Sequence, residues 1–303
     1  MSPSQPQRVF VQLHLLVALL ATTAVLGHLI SLPALQLVVW RTFLASLGAA
    51  FCVVVFARKR LRLPMRQAAT LLGIGGIVGV HWLCFFGSIK VSNISICLAG
   101  LATVSFFTAF TEPLLEKRPV RTLEVALGML VFLGIVVIAG YENGHWAGLG
   151  LALLSALLAS VFPVLNRRLV NQGNHDPALM VAWEMAGACL TCLLGLLVFE
   201  GRTGLENLMK WQRLDWLWLL FLAWVCTVFA HGFHIHLLRK FSAYTVNLAL
   251  NLEPVYGIAA AAVLFGEHRQ LHVGFFIGTA TILLANLLHP LVLRRVGRSS
   301  RAT

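Results

Sequence analysis

Acidic residues are scarce in this chain. Among 303 residues only 11 are Asp or Glu, against 23 Lys and Arg, and charged residues of both signs make up 11%. Water-soluble domains carry about 25% charged residues. That shortage, with 59% hydrophobic residues and a mean hydropathy of +0.85, excludes an ordinary soluble globular protein. A disulfide framework is also missing: Cys52, Cys84, Cys97, Cys189, Cys192 and Cys226 all fall inside apolar runs. Cys189-x-x-Cys192 copies a redox spacing, but apolar surroundings suppress thiolate formation, so small packing residues are the plainer reading. The glycine-rich stretch GIGGIVG (73–79) lacks the Lys-Ser/Thr of a phosphate loop. No stretch reads as a nucleotide-binding domain, so drive by ATP or through an ATPase subunit is not expected, and neither is a cofactor. Gly75-x-x-x-Gly79 reads instead as a site of close helix packing.

What the chain does have is apolar length. Ten segments of about twenty residues, the length that spans a hydrocarbon core, fall at approximately 9–30, 34–57, 67–88, 92–115, 122–140, 147–166, 178–199, 215–237, 242–265 and 271–292. The run after Arg8 is long for a signal-peptide core and is followed at once by further spans, so it reads as a retained first helix. The fold class expected is all-α integral membrane, with the lipid bilayer as surroundings.

The net charge of +12 could suggest a nucleic-acid partner, but its distribution argues for membrane topology instead. With the N-terminus inside, the cytoplasmic loops hold Arg8, Arg58, Lys59, Arg60, Arg62, Arg66, Lys117, Arg118, Arg121, Arg167, Arg168, Arg239, Lys240, Arg294, Arg295, Arg298 and Arg301. The opposite side holds Lys90, Arg202, Lys210, Arg213 and Arg269. Seventeen against five satisfies the positive-inside rule and puts both termini in the cytoplasm. Arg41 alone lies within a span.

Three pairings recur at a nearly constant offset. Trp40-Arg41 matches Trp183-Glu184, His81 matches His231 (carrying Lys90 onto Lys240 and Ser92 onto Ser242), and Leu114-Leu115-Glu116-Lys117 matches Phe265-Gly266-Glu267-His268. Order and helix ordinal agree, which points to a duplication of five helices, residues 1–141 and 142–303. Five is odd, so the second copy must be inverted in the membrane, an arrangement common among secondary transporters.

These features resemble the EamA-like branch of the drug/metabolite transporter superfamily. The resemblance rests on two five-helix repeats, an Arg early in the second helix, and a fourth-helix pattern of small residues ending in an acidic Gly-Glu, here EPVYGIAAAAVLFGEH (253–268) against ATVSFFTAFTEPLLEK (102–117). It implies ten helices around a central cavity in a bacterial-type inner membrane. It also implies a small-molecule metabolite as partner, with export of amino acids or related amphipathic compounds as the leading activity. Whether the carrier is a monomer or homodimer, proton-coupled or a facilitative uniporter or importer, stays open. The first copy departs from the pattern: Thr103 stands where Pro254 aligns, and its own Glu112-Pro113 comes about ten residues later.

Ionisable side chains inside membrane helices face a bundle interior or a watery cavity. Glu253 lies near mid-depth, either as a ligand for a substrate amine or a proton carrier, or as a structural partner of Arg41. Pro254 beside it removes a backbone donor and is a candidate hinge. Tyr256 is expected on the same face, and Asn247 and Asn251 either glue helices together or touch substrate. Arg41 and Glu184 could form opposite poles for a zwitterion or each gate its own side. Trp40, Trp82 and Trp183 are candidate aromatic walls or lipid-facing rings. His81 and His231 are candidate polar cavity residues or proton partners. Glu112 is expected to pair with Lys117 or Arg118. His231-x-x-His234-x-His236 invites a metal-enzyme reading, but at about 100° per residue His236 points far from the other two, and no metal site is expected.

Overall fold

The computed structural model describes residues 4–117, 119–120, 122–141, 144–173, 176–241, 246, 250 and 252–299, and among these no strand occurs. The helices are α1 (Ser4–Leu29), α2 (Ala34–Phe51), α3 (Met65–Val91), α4 (Ile94–Leu101), α5 (Val104–Glu116), α6 (Thr122–Tyr141), α7 (Trp146–Gly173), α8 (Pro177–Phe199), the short α9 (Gly201–Asn207), α10 (Asp215–Ala223), α11 (Ala230–Leu238), α12 (Glu253–Phe265) and α13 (Val273–Ser299). Among the described residues seven stretches are long and apolar enough to cross a membrane: Val11–Leu29, Ala34–Phe56, Met65–Val91, Ile94–Glu116, Trp146–Asn171, Pro177–Phe199 and Asp215–Leu238. Shorter apolar helices, Val125–Tyr141, Glu253–Phe265 and Val273–Ala285, fall in the three remaining expected segments.

Large apolar side chains are exposed all around the bundle, among them Phe132 and Val136 on α6 and Leu190 and Leu194 on α8. Helices that are apolar on their outer faces as well as their inner ones suit a lipid surround, where backbone groups must be satisfied within each helix.

Polar residues set the helix starts. Asp176 caps α8 by accepting from the Ala178 amide at 3.0 Å, and Lys59 donates to the same carboxylate at 2.6 Å. Burial alone would raise the Asp176 pKa; the Lys59 and Ala178 hydrogen bonds outweigh it and hold the carboxyl below its usual range. The start of α4 is buried and doubly capped. Asn93 accepts from Ile96 N at 2.8 Å, and Glu267, distant in sequence, accepts from Ile94 N at 3.1 Å, Ser95 N at 2.9 Å and Ser95 Oγ at 2.6 Å. A carboxylate at a helix N-terminus satisfies orphan amides and complements the helix dipole. Glu267→Ala is therefore expected to cost about 2–3 kcal/mol, seen as a lower melting temperature in detergent. An unchanged midpoint would refute this role.

Small residues set the spacing of the central helices. α3 packs along α8, α2 along α8, and α3 along α7, while α6 packs along α13. A methyl on Gly75 would run into the backbone carbonyl of Glu184, one on Gly79 would come within 3.0 Å of the Ala188 carbonyl oxygen, and one on Gly187 would meet the Leu72 backbone. The expected close packing at Gly75 and Gly79 is thus found, and α8 is the helix it serves.

Two irregularities position the site. The fourth apolar segment breaks at Ala102–Thr103, between α4 and α5. A π-helical stretch, Trp224–Phe229, separates α10 from α11; such wide turns are frequent at functional sites.

Candidate functional site

A central cavity opens where α1, α2, α3, α7, α11 and α12 converge, with room for about 90 Å³ of water-sized molecule centres. A single water needs about 10–15 Å³ by that measure, so the cavity holds several waters or one small solute. Its lining is mostly apolar, with a few polar groups: Arg41, His81, His231, His234 and Glu253.

Arg41 is fully buried on α2. Its Nε donates to Thr227 Oγ1 at 2.8 Å, and its guanidinium carbon stands 3.7 Å from the centre of the Trp82 ring. Thr227 belongs to the π-helical stretch and passes its own proton to the Leu222 carbonyl at 2.7 Å. The widened turn and the indole face therefore hold the guanidinium in place, the latter by cation–π attraction. Thr227 carried no sequence signal of its own: one hydroxyl in an apolar helix is ordinary.

Glu253 is 6% exposed, and its carboxylate accepts no hydrogen bond from the described residues. It makes no ion pair with Arg41 within 4.0 Å, although the two line the same cavity and interact electrostatically. Nor does Glu253 lie within an unbroken helix, as its expected mid-helix position implied. It is the first residue of α12, with Leu252 as cap and Pro254 in the first turn, where proline costs no helical hydrogen bond. The positive end of the α12 dipole faces this carboxylate. Pro254 lines the cavity beside it.

Glu184, expected as the pole opposite Arg41, is fully buried but does not line the cavity. Its Oε2 lies 2.7 Å from His231 Nε2 and accepts from Asn166 Nδ2 at 3.2 Å. His231, which does line the cavity, stands between. His81 is held at Nδ1 by the Ser155 carbonyl and hydroxyl, each at 2.9 Å. The Phe162 ring lies 5.5 Å from His81, 6.0 Å from His231 and 6.4 Å from His234.

Other expectations are corrected. Trp40 and Trp183 are not cavity walls. Trp40 Nε1 donates to the Leu208 carbonyl at 2.8 Å and its ring stacks on Trp211 at 4.9 Å, while Trp183 Nε1 donates to the Leu61 carbonyl at 3.0 Å. An indole N–H seeks a partner when buried, and each of these finds one in a loop. Tyr256, three residues on from Glu253, does not line the cavity; it is 43% exposed and its hydroxyl meets His14 Nδ1 on α1 at 3.0 Å. Glu112 lies 4.0 Å from Arg167 across helices, and Arg118, one of its two expected partners, lies outside the described residues. Asn247 and Asn251 lie outside the described residues. Among the described residues no three His, Cys, Asp or Glu side chains gather as a metal site.

Apolar helices wrapped around a small cavity with a few buried ionisable groups define the class: a multi-pass membrane protein. Residues 146–289 match the EamA-like transporter family. A relative in Salmonella typhimurium (strain LT2), named "Probable amino-acid metabolite efflux pump", is 28% identical over 285 residues, covering 90% of each chain. A protein of the same name in Escherichia coli (strain K12) is 26% identical over 277 residues, covering 87% of this chain and 88% of its own. A solved crystal structure at 16% identity superimposes with a TM-score of 0.68 over 94% of this chain and 98% of that one, a likeness of fold. The chain is thus similar to EamA-like transporters over residues 146–289, and over most of its length to two proteins named as efflux pumps.

Proposed function

We propose that this protein exports small amphipathic amino acids or related metabolites across a bacterial-type inner membrane, with both termini in the cytoplasm. One observation carries the reading: Arg41 and Glu253 line the same cavity and form no ion pair within 4.0 Å, which leaves room for a solute between them. A zwitterion supplies what each lacks. Its carboxylate matches the NH₂ fork of Arg41, whose Nε is already committed to Thr227, and its ammonium matches Glu253. Trp82, Phe85 and Phe162 offer apolar surface to the remainder. The names of the two relatives support this substrate class.

Alternating access between two inverted halves, residues 1–141 and 142–303, is supported by two reciprocal features. Trp40 of the second apolar segment holds the loop before the eighth through Leu208, and Trp183 of the seventh holds the loop before the third through Leu61. The fourth segment breaks at Ala102–Thr103, and α12 of the ninth begins after Leu252. In this scheme the two loop anchors would close opposite faces, and Pro254 would be a hinge.

Counterflow in proteoliposomes with a panel of labelled metabolites tests the proposal. Zwitterionic amino acids with apolar side chains are expected to exchange, and their amides and decarboxylated amines to exchange poorly. Exchange restricted to uncharged or singly charged solutes would refute it. Transport indifferent to a pH gradient would favour the facilitative reading over proton coupling.

A further inference from the structure

The proposed function leaves one buried cluster unused, behind the cavity wall where α7, α8 and α11 meet. Glu184, Asn166, His231 and His234 are all at least nine-tenths buried. Glu184 Oε2 already holds His231 Nε2 at 2.7 Å and Asn166 Nδ2 at 3.2 Å. Three further polar atoms here have no partner among the described residues: Glu184 Oε1, Asn166 Oδ1 and His234 Nε2. Glu184 Oε1 and Asn166 Oδ1 are acceptors, His234 Nε2 is one in its Nδ1–H tautomer, and an unmet buried acceptor costs about 1–3 kcal/mol. The cluster is thus short of donors, and a proton is the smallest species that supplies one.

On the reading of the protein as a carrier, we infer that the Glu184–His231 pair is its proton-coupling site, separate from the substrate site that Glu253 serves. The separation is spatial: Glu253 faces the cavity, Glu184 does not, and His231 alone touches both the cavity and Glu184. In the relay, a proton from cavity water binds the Nδ1 lone pair of His231. The Nε2–H bond then breaks as an O–H bond forms on Glu184 Oε2, leaving a neutral acid and a neutral imidazole of the other tautomer. The reverse sequence returns the proton to the cavity. No other reactant is required.

The surroundings bear on where the charge rests. Arg41 on α2 lines the cavity with a positive charge, and His81 on α3 stands across Phe162 from His231. On α11, His234 lies 6.2 Å from His231 ring to ring. On α7, Arg167 is turned to Glu116 and Glu112, and at the start of α8 Asp176 is bonded to Lys59. No second carboxylate among the described residues bonds to this cluster, so a proton passed on by His231 comes to rest on Glu184.

The test uses the full chain in proteoliposomes together with pH-difference infrared spectroscopy of the same preparations. For one proton per cycle, a pH difference of about one unit can drive about tenfold accumulation. Glu184→Gln is expected to keep substrate counterflow, lose the gradient-driven accumulation, and lose one protonated-carboxyl band that titrates in the unmodified protein and survives in Glu253→Gln. His231→Gln, which keeps the carboxylate but alters the cavity lining, should lose gradient-driven accumulation by a larger factor than it loses counterflow, and serves if Glu184→Gln does not fold. Accumulation retained in these variants, driven by sodium instead of a pH gradient, or a titrating band lost only in Glu253→Gln would overturn the assignment. Should the unmodified protein move no metabolite, the functional reading fails, while the band still shows whether Glu184 takes up a proton.

Discussion

Glu253→Gln is expected to raise the half-saturating concentration for a zwitterionic substrate by about ten- to a hundredfold while leaving the protein folded. The reasoning starts from what Glu253 touches. Its carboxylate has no hydrogen-bond donor among the described residues and no ion pair with Arg41 within 4.0 Å, so replacing it by the isosteric amide breaks no hydrogen bond among them. A charge-assisted hydrogen bond to a ligand is worth about 1.5–3 kcal/mol, and every 1.4 kcal/mol is about tenfold in affinity. Arg41→Lys should show a loss of similar size at the other end of the substrate. A lysine carries the charge but neither spreads over the Trp82 face nor presents a planar fork to a carboxylate. Substrate-dependent quenching of tryptophan fluorescence or direct calorimetry checks both. A Glu253→Gln protein with unaltered affinity would mean that the acid serves the fold, and its melting temperature should then fall instead.

The second large effect falls on folding. Gly75→Ala is expected to destabilise the protein by about 1–3 kcal/mol, because the added methyl meets the backbone carbonyl of Glu184 rather than a side chain that can move. Gly73→Ala is the control: nothing lies within 4 Å of that position, and alanine favours a helix over glycine by about 1 kcal/mol. The two substitutions, two residues apart on α3, should shift the melting temperature in opposite directions. Equal shifts would show that α3 and α8 are not in this contact. Any separation of these helices also moves Glu184, so Gly75→Ala should weaken gradient-driven transport beyond its effect on stability.

Much of the architecture was legible in the sequence because it follows from local quantities. The cost of a charge in hydrocarbon and the length of an apolar run need no partner to be read. They located the seven long spans and the three shorter apolar helices, and they marked Arg41, Glu184 and Glu253 as residues with a reason to be where they are. The small-residue spacing of Gly75 and Gly79 also announced a close helix contact, though not with which helix.

The sequence by itself therefore determined a multi-pass helical carrier and a short set of polar residues inside it. Only the tertiary structure decided what each of those residues does. Sequence periodicity says which face of a helix a side chain occupies, but not which helix arrives opposite. Glu184 meets His231 and Asn166, Trp40 and Trp183 reach loops, Tyr256 turns to His14, and Arg41 finds Thr227 and Trp82. Each is a contact between helices, or between a helix and a distant loop, fixed by close packing such as that of α3 on α8. Among the described residues Glu253 is left without a hydrogen-bond partner, which only the placement of its neighbours could show.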